Sequence, residues 1–330
     1  MKQSNNLGNM AAAAIKKENR LVAFMFPGQG SQYPGMAMDL ARECQPARML
    51  LEQADEVLGY SLTKIMFGSS GNDLNRTVHT QPAVFVHSMA LLEVLKEHCH
   101  LTPIMAAGHS LGEYSALCAA GALEFEAALD IIRVRAEGMD SSQPAGTCGM
   151  AALIGISRQE VLDLIDRCRE NVTLEAANFN APDQVVISGH IQGINRVIEA
   201  LKNVKRARAV MLPVSSAFHT NLMKPASEAL HARLQGVTLK QPLFAVVSNV
   251  SAKPYPASDH ESKRLLIDQV VRPVLWEDSV RAMVSSGVEV FMEVGPGKVL
   301  TGLLRRIDRK AEAVAISGIE DIRSYLESSH

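Results

Sequence analysis

Pro103-Ile104-Met105-Ala106-Ala107, followed by Gly108-His109-Ser110-Leu111-Gly112, is the stretch that decides the fold. An apolar run ends at Ala107, a Gly-x-Ser-x-Gly turn follows, and Leu111 to Ala120 has helical character closed by Gly121. Small residues around a serine permit the sharp strand-to-helix turn of a nucleophile elbow, which exposes the hydroxyl at a helix N-terminus. Ser110 is therefore a candidate nucleophile on a buried parallel strand. The plainer reading, a serine that only caps a helix, does not account for the strand in front of it.

Working outward, Leu21-Val22-Ala23-Phe24-Met25-Phe26 is a second apolar run, stopped by Pro27-Gly28, and it suits another buried parallel strand. A glycine-rich turn, Gly28-Gln29-Gly30-Ser31-Gln32, comes next. Helical spacing predicts a helix from Met38 to Leu58 with Gly59 as its C-cap, and an amphipathic helix over Gln81 to Glu97. Between Gly149 and Val214 the pattern shortens. Met150 to Ile156 is apolar, Arg158 to Arg169 helical, Gln184 to Ser188 β-like, Gly193 to Leu201 helical and Ala207 to Leu212 β-like. Strand, helix, strand, helix, strand in about 65 residues is a small α+β unit of split βαβ type. Phe244 to Ser248 and Val288 to Met292 read as further strands of the main sheet. The expectation is an α/β protein with a parallel sheet, formed by 21–148 and 214–330, with an α+β subdomain inserted at 149–213 and a loose extension at 1–20.

The length of 330 residues agrees with two units, since a single core rarely grows beyond about 250 to 300 residues. With 33 Lys and Arg against 35 Asp and Glu, the chain has no cationic surplus for counterion release, which excludes nucleic acid as an expected partner. No apolar stretch approaches the roughly 20 residues that cross a bilayer, and Met10 to Ile15 is too brief for a secretory segment. Five cysteines without a C-x-x-C pair give no metal or redox motif. A reducing cytoplasm is the expected location.

A serine nucleophile needs a base. His98, His100, His260 and His330 lie in polar or terminal stretches, whereas His219 closes Val214-Ser215-Ser216-Ala217-Phe218-His219 just where the insert returns to the main domain. It is the best-placed candidate.

Taken together, Gly28-Gln29-Gly30-Ser31-Gln32, Gln81-Pro82-Ala83, Gly108-His109-Ser110-Leu111-Gly112-Glu113, Arg135, Ala217-Phe218-His219 and Glu293-Val294-Gly295-Pro296-Gly297 resemble the malonyl-CoA:acyl carrier protein transacylase family in order and spacing. The resemblance runs from about Leu21 to Ile307. It implies a hydrolase-like α/β domain with a ferredoxin-like insert. It also implies a two-step transfer of malonyl from malonyl-CoA to the phosphopantetheine thiol of an acyl carrier protein, with no permanently bound cofactor and no metal. Ser110 would be the nucleophile and His219 the base, oriented by a backbone carbonyl at the position matching Gln269. The oxyanion would sit between the backbone N–H groups of Gln29 and Leu111. Arg135, 25 residues beyond Ser110 (135 − 110), would hold the malonyl carboxylate through two parallel hydrogen bonds. Without the resemblance Arg135 reads as one of two surface arginines, with Arg133, on a helix.

Leu111 and Phe218 resemble the malonyl-selective form by leaving little room for an α-methyl group. Gln81 and Asn180 would line the pocket, although Gln81 could instead cap a helix and Asn178 and Asn180 could form turns. His109 would support the elbow. Lys202, Lys205, Arg206 and Arg208 form a basic run that is either a docking patch for an acidic carrier protein or a solvated face. Ala136-Glu137-Gly138 departs from the family pattern after the arginine, and residues before Leu21 lie outside the family core, as a tag or native tail. The chain stops near the end of that core, so a free-standing enzyme is expected; a monomer is the expected state. Two other readings are weighed: a hydrolase that clears acyl chains from carrier proteins of a polyketide synthase, and a non-catalytic docking module. The first has no use for a buried guanidinium, and the second would not keep Ser110 and His219.

Overall fold

The computed structural model describes residues 20–327 apart from 69, 70, 99, 100, 203, 205 and 215. The extension at 1–19, Cys99, His100, Lys205 and His330 thus lie outside the described residues. In chain order the elements are β1 (Val22–Phe26), α1 (Met38–Glu43), α2 (Gln45–Leu58), α3 (Leu62–Met66), α4 (Thr77–His98), β2 (Met105–Gly108), α5 (Gly112–Ala119), α6 (Phe125–Ser141) and β3 (Cys148–Ile154). They continue with α7 (Arg158–Cys168), β4 (Leu174–Ala181), β5 (Gln184–His190), α8 (Ile191–Leu201), β6 (Arg208–Met211), α9 (Lys224–Leu234), β7 (Ala245–Val247) and α10 (Asp259–Gln269). The last are α11 (Trp276–Ser285), β8 (Val290–Val294), α12 (Val299–Ile307), β9 (Glu312–Ile316) and α13 (Ile319–Glu327).

The main sheet has the order β7-β2-β1-β8-β9, and every pairing in it is parallel. Because successive side chains on a strand point to opposite faces, β1 divides itself between two cores. Val22, Phe24 and Phe26 pack with α4, α5 and α6, whereas Ala23 and Met25 pack with Trp276, Val280 and Met283 of α11 and Leu300 and Leu304 of α12. All five residues of β1 are buried, which is why it reads as a continuous apolar run rather than an alternating one. The second sheet, β4-β5-β3-β6, is antiparallel, with α7 and α8 covering one face through Val161, Leu164, Ile194 and Val197. Numbered within residues 148–211, its strand order is 2-3-1-4, the ferredoxin-like arrangement.

Several expectations need correction. The helix over Met38 to Leu58 is two helices, because the backbone is extended at Cys44 (φ −122, ψ 119) and Pro46 in the first turn of α2 has no N–H with which to continue α1. Gly59 does close α2, at φ 73. The segment over Gln81 to Glu97 belongs to the longer α4 and is not amphipathic, being buried on nearly all sides from Thr80 to Leu92. Gln81 lies inside it and not at a cap. The insert has one strand more than its sequence suggests: Leu174-Glu175-Ala176-Ala177-Asn178-Phe179-Asn180-Ala181 lacks β-branched residues and carries two asparagines, yet it forms β4. Tertiary pairing overrides that weak propensity, as Phe179 N–H donates to Val274 O and Val274 N–H to Ala177 O, both at 2.9 Å. Asn178 and Asn180 are therefore strand residues and not turn residues. One strand has no counterpart in the sequence reading: β9, partly exposed at the sheet edge, lacks the continuous burial of the central strands.

The elbow depends on close backbone approach. A Cβ on Gly112 would stand 2.1 Å from Phe26 O, and one on Gly108 would stand 1.8 Å from the Gly112 carbonyl. Gly112→Ala should therefore push α5 off β1 and destabilise the protein by about 3 kcal/mol, the upper range for overpacking, as a lowered denaturant midpoint in chemical unfolding.

Candidate active site

The C-terminal ends of β1 and β2 deliver the turn at Gly28 and the elbow at Ser110 to one edge of the main sheet, facing β3, β4 and β5 of the insert. A cavity of about 230 Å³ lies between them. Gln29, Ser110, Phe218 and His219 line it from the main body, Asn178 and Asn180 from the insert. Arg135, Gln81, Gln269 and Leu111 stand behind that lining, each no more than 1% exposed.

Ser110 has φ 51 and His219 φ 61, left-handed conformations that side chains rarely adopt. At Ser110 the strain is held by Asn249, whose Oδ1 accepts the Ser110 N–H at 2.7 Å while its Nδ2 donates to Gly108 O at 2.7 Å. The Ser110 hydroxyl lies 2.7 Å from His219 Nε2, and His219 Nδ1 lies 2.8 Å from Gln269 O. A carbonyl can only accept, so the imidazole proton is on Nδ1 and Nε2 is free to take the serine proton. Gln269 ends α10, where carbonyls lack intrahelical partners and carry the negative end of the helix dipole, which favours an imidazolium as it forms. Burial and the nearby Arg135 push the His219 pKa down to about 3. His219 is thus neutral and competent as a base at physiological pH.

Leu111 is the N-cap of α5, so its N–H is among those with no intrahelical acceptor. Gly28 comes so near the elbow that a Cβ there would lie 2.4 Å from His109 O, which brings the Gly28-Gln29 backbone beside Ser110. The Gln29 side chain turns away, donating to Thr77 Oγ1 at 3.1 Å. His109 is half-buried at the cavity wall, with Nε2 2.8 Å from Asn180 Oδ1 and its ring tilted against Trp276. These contacts tie the elbow to β4 and α11.

Arg135 is not a surface residue. It falls on the stripe Ala128, Ile131, Ile132, Met139 that α6 buries, and that 3.6-residue periodicity was the signal by which sequence alone could have placed it inward. Arg133 projects from the other side of the helix and pairs with Asp130 and Glu137. Ala136-Glu137-Gly138 does not disturb this presentation: a Cβ on Gly138 would lie 2.9 Å from Ala226 Cα, so the small residue lets α9 pack against α6. The Arg135 guanidinium donates to Gln81 Oε1 at 2.5 Å, to Ser110 Oγ at 2.9 Å and to Gln269 Oε1 at 3.0 Å, and stands 5.6 Å from the centre of the Tyr114 ring. All three acceptors are neutral. A fully buried cation beside the nucleophile, bonded only to uncharged oxygens, is suited to an anionic group carried by a small acyl chain. Asn249 and Tyr255 are absent from the motifs read in the sequence, and Glu113 enters there only as the last residue of the elbow motif. An asparagine just past a parallel strand end was the available sign for the first.

The acyl transferase domain family matches residues 23–322. A malonyl CoA-acyl carrier protein transacylase of Bacillus subtilis is 40% identical over 308 residues, covering 93% of this chain and 96% of its own. The protein of that name from Escherichia coli K12 is 39% identical, covering 92% and 98%. Among solved structures, an acyl-carrier-protein S-malonyltransferase from Burkholderia pseudomallei superposes with TM-score 0.89 at 38% identity over 93% of this chain and 99% of its own. A malonyl-transacylase in complex with its type II polyketide acyl carrier protein superposes with TM-score 0.90 at 36% identity, covering 93% and 99%.

Three histidines with lowered pKa values make folding depend on pH. Burial holds His219 near 3, His87 near 4 and His109 below the usual value of 6.5. Between about pH 4 and 6.5 the unfolded chain binds protons at these positions that the folded chain excludes. Folding stability should therefore rise with pH across that window, by up to about 1.4 kcal/mol per pH unit for each histidine. Urea unfolding at pH 4.5, 5.5 and 6.5 measures the slope, and His87→Gln should reduce it.

Proposed function

This chain belongs to the acyl transferase domain family, and we propose from that membership that it transfers a malonyl group from malonyl-CoA to the phosphopantetheine thiol of an acyl carrier protein. The observation that carries this reading is the Arg135 guanidinium 2.9 Å from Ser110 Oγ, buried and without an acidic hydrogen-bond acceptor.

In the first half-reaction Ser110 Oγ attacks the thioester carbonyl as His219 Nε2 takes the hydroxyl proton. The resulting oxyanion is received by the backbone N–H groups of Gln29 and Leu111, the latter at the positive end of α5. Collapse breaks the C–S bond, the proton passes from His219 to the departing coenzyme A sulfur, and a malonyl ester remains on Ser110. In the second half the carrier-protein thiol gives its proton to His219, its sulfur attacks the ester, and Ser110 leaves with that proton. Arg135 holds the malonyl carboxylate throughout, with Gln81 and Gln269 keeping the guanidinium in place. Leu111 and Phe218 restrict the α-carbon of the acyl group, and Asn180 lines the cleft opposite. No permanently bound cofactor enters these steps.

The division of the chain into 21–148 with 214–330 and an insert at 149–213 gives each unit one wall of the cleft, and the extended pantetheine arm would enter between them. Docking of an acidic carrier protein is supported by the basic run beside β6, where Lys202 and Arg206 make only exposed pairs with Glu199 and Glu160. We place the enzyme in the cytoplasm, a reading that rests on its cysteine pattern, and take it to act as a monomer; among the described residues no helix is long and apolar enough to cross a membrane. A hydrolase of uncharged acyl chains would leave Arg135 unpaired at a cost of several kcal/mol, and the named relatives are transacylases.

Intact mass after brief exposure to malonyl-CoA, before and after addition of carrier protein, tests the transfer. Ser110→Ala should abolish the malonyl adduct. Arg135→Ala should lower the malonyl-to-acetyl adduct ratio by at least about tenfold, and Arg135→Lys should restore it only in part, since an ammonium cannot form the planar fork. An unchanged ratio in Arg135→Ala would remove the carboxylate anchor and return weight to hydrolysis. For the oxyanion donors, Gly28→Val should cost far more adduct formation than Gln29→Ala, because the former displaces backbone and the latter only a side chain; equal losses would contradict the backbone assignment.

A further inference from the structure

Beneath Ser110 and Arg135 lies a buried carboxylate that the transfer steps do not use. Glu113, on the first turn of α5, is fully buried. Its Oε1 accepts from the Tyr255 hydroxyl at 2.5 Å and from the Asn249 N–H at 3.2 Å, and its Oε2 accepts from Gln269 Nε2. The same Gln269 amide nitrogen donates to Ser110 O at 2.9 Å, and the amide oxygen accepts from Arg135 at 3.0 Å. One amide therefore joins the elbow, the guanidinium and Glu113. Its two ends are not interchangeable: an ionised carboxylate accepts only, so the NH2 must face Glu113 and the oxygen must face Arg135.

We propose that Glu113 is a positioning residue for acyl selection: by fixing the orientation of the Gln269 amide it holds the Arg135 guanidinium where an acyl carboxylate meets it. The inference rests on the reading of Arg135 given above. Once protonated, Glu113 becomes a donor and can bond the Gln269 oxygen, which turns the amide NH2 towards the guanidinium. Two donors then face each other, and Arg135 is displaced. His219 is spared, since it is held by the Gln269 main-chain carbonyl, which the flip does not move.

The charge state of Glu113 is finely set. Burial raises its pKa to about 7 against the lowering effect of its hydrogen-bond donors. The other titratable groups facing it are Tyr255 from the segment after β7, Tyr114 from its own helix and Arg135 from α6. Burial pushes both tyrosines upward and arginine remains charged, while α10 presents the uncharged Gln269. Glu113 is thus the member of this group that changes charge near neutrality. The malonyl carboxylate is ionised well below that range, at about the pKa of an ordinary carboxylic acid, roughly 4.

The experiment measures rates of malonyl and acetyl loading onto Ser110 by intact mass between pH 5.5 and 8.5, taking their ratio so that effects common to both acyl groups, including titration of His219, cancel. In the wild type the ratio should rise with pH by about tenfold, the value of one hydrogen bond to a charged group, in a step centred near pH 7. Glu113→Gln should give a low ratio without the step, with acetyl loading retained as the control for folding. Tyr255→Phe removes a donor that favours the ionised form, so its step should move to higher pH; it tests the same network should Glu113→Gln fail to fold. A flat ratio in the wild type, a step that persists in Glu113→Gln, or a step unmoved in Tyr255→Phe overturns the proposal. A ratio that rises as pH falls does so too, since the carboxylate would then act only by repelling the substrate's charge. Malonyl adduct on wild-type Ser110 at pH 8 reads the transferase assignment separately, so its presence with a flat ratio overturns only the role of Glu113.

Discussion

The left-handed backbone at Ser110 is the constraint on which the remaining geometry turns. A non-glycine residue at φ 51 costs on the order of 1 to 3 kcal/mol, and it persists only where its surroundings over-determine it. Here the surroundings are Gly108 and Gly112, whose missing Cβ atoms let strand and helix touch, and Asn249, which binds the N–H and carbonyl on either side of the turn. A relaxed backbone would point the hydroxyl elsewhere. It would then lose both His219 Nε2 and the guanidinium of Arg135.

Electrostatics in this pocket is arranged by what the charges do not touch. Arg135 meets neutral oxygens, and Glu113 meets neutral donors, with Gln269 between them. A direct ion pair would satisfy both groups in the free protein and leave the guanidinium nothing to gain from an acyl carboxylate. Separation through an amide keeps each charge hydrogen-bonded, which lowers the cost of burying it, while leaving the net attraction of the cation available to a ligand. The same cation adds to burial in depressing the His219 pKa, so the residue that offers a charge to a ligand also helps to keep the imidazole unprotonated.

The insert completes the cleft and is tied to the main body. β4 exchanges hydrogen bonds with Val274, Asn180 reaches His109, and Arg158 stacks over Phe179 at 3.7 Å while pairing with Asp278 of α11. These contacts fix the wall opposite Ser110 and determine how wide the cleft stands.

Local sequence determined the elements whose signals are short-ranged. The apolar runs before Pro27 and Gly108, the glycines that permit the elbow and the left-handed Gly59 all follow from sterics within a few residues of chain, and they set the parallel sheet and the position of the nucleophile. The position of His219 after the insert made it the candidate base, and the resemblance supplied Arg135 and Gln269, but the relations among these residues and Ser110 span 25 to 159 residues and are matters of packing. Only the tertiary structure decided that Arg135 faces inward while Arg133 pairs on the surface, that a strand poor in β-formers is held by Val274, and that Asn249 and Glu113 bracket the elbow. The physical reason is the same in each case. A polar residue carries no local mark of burial; its place is set by partners that satisfy its hydrogen bonds, and those partners arrive from distant parts of the chain.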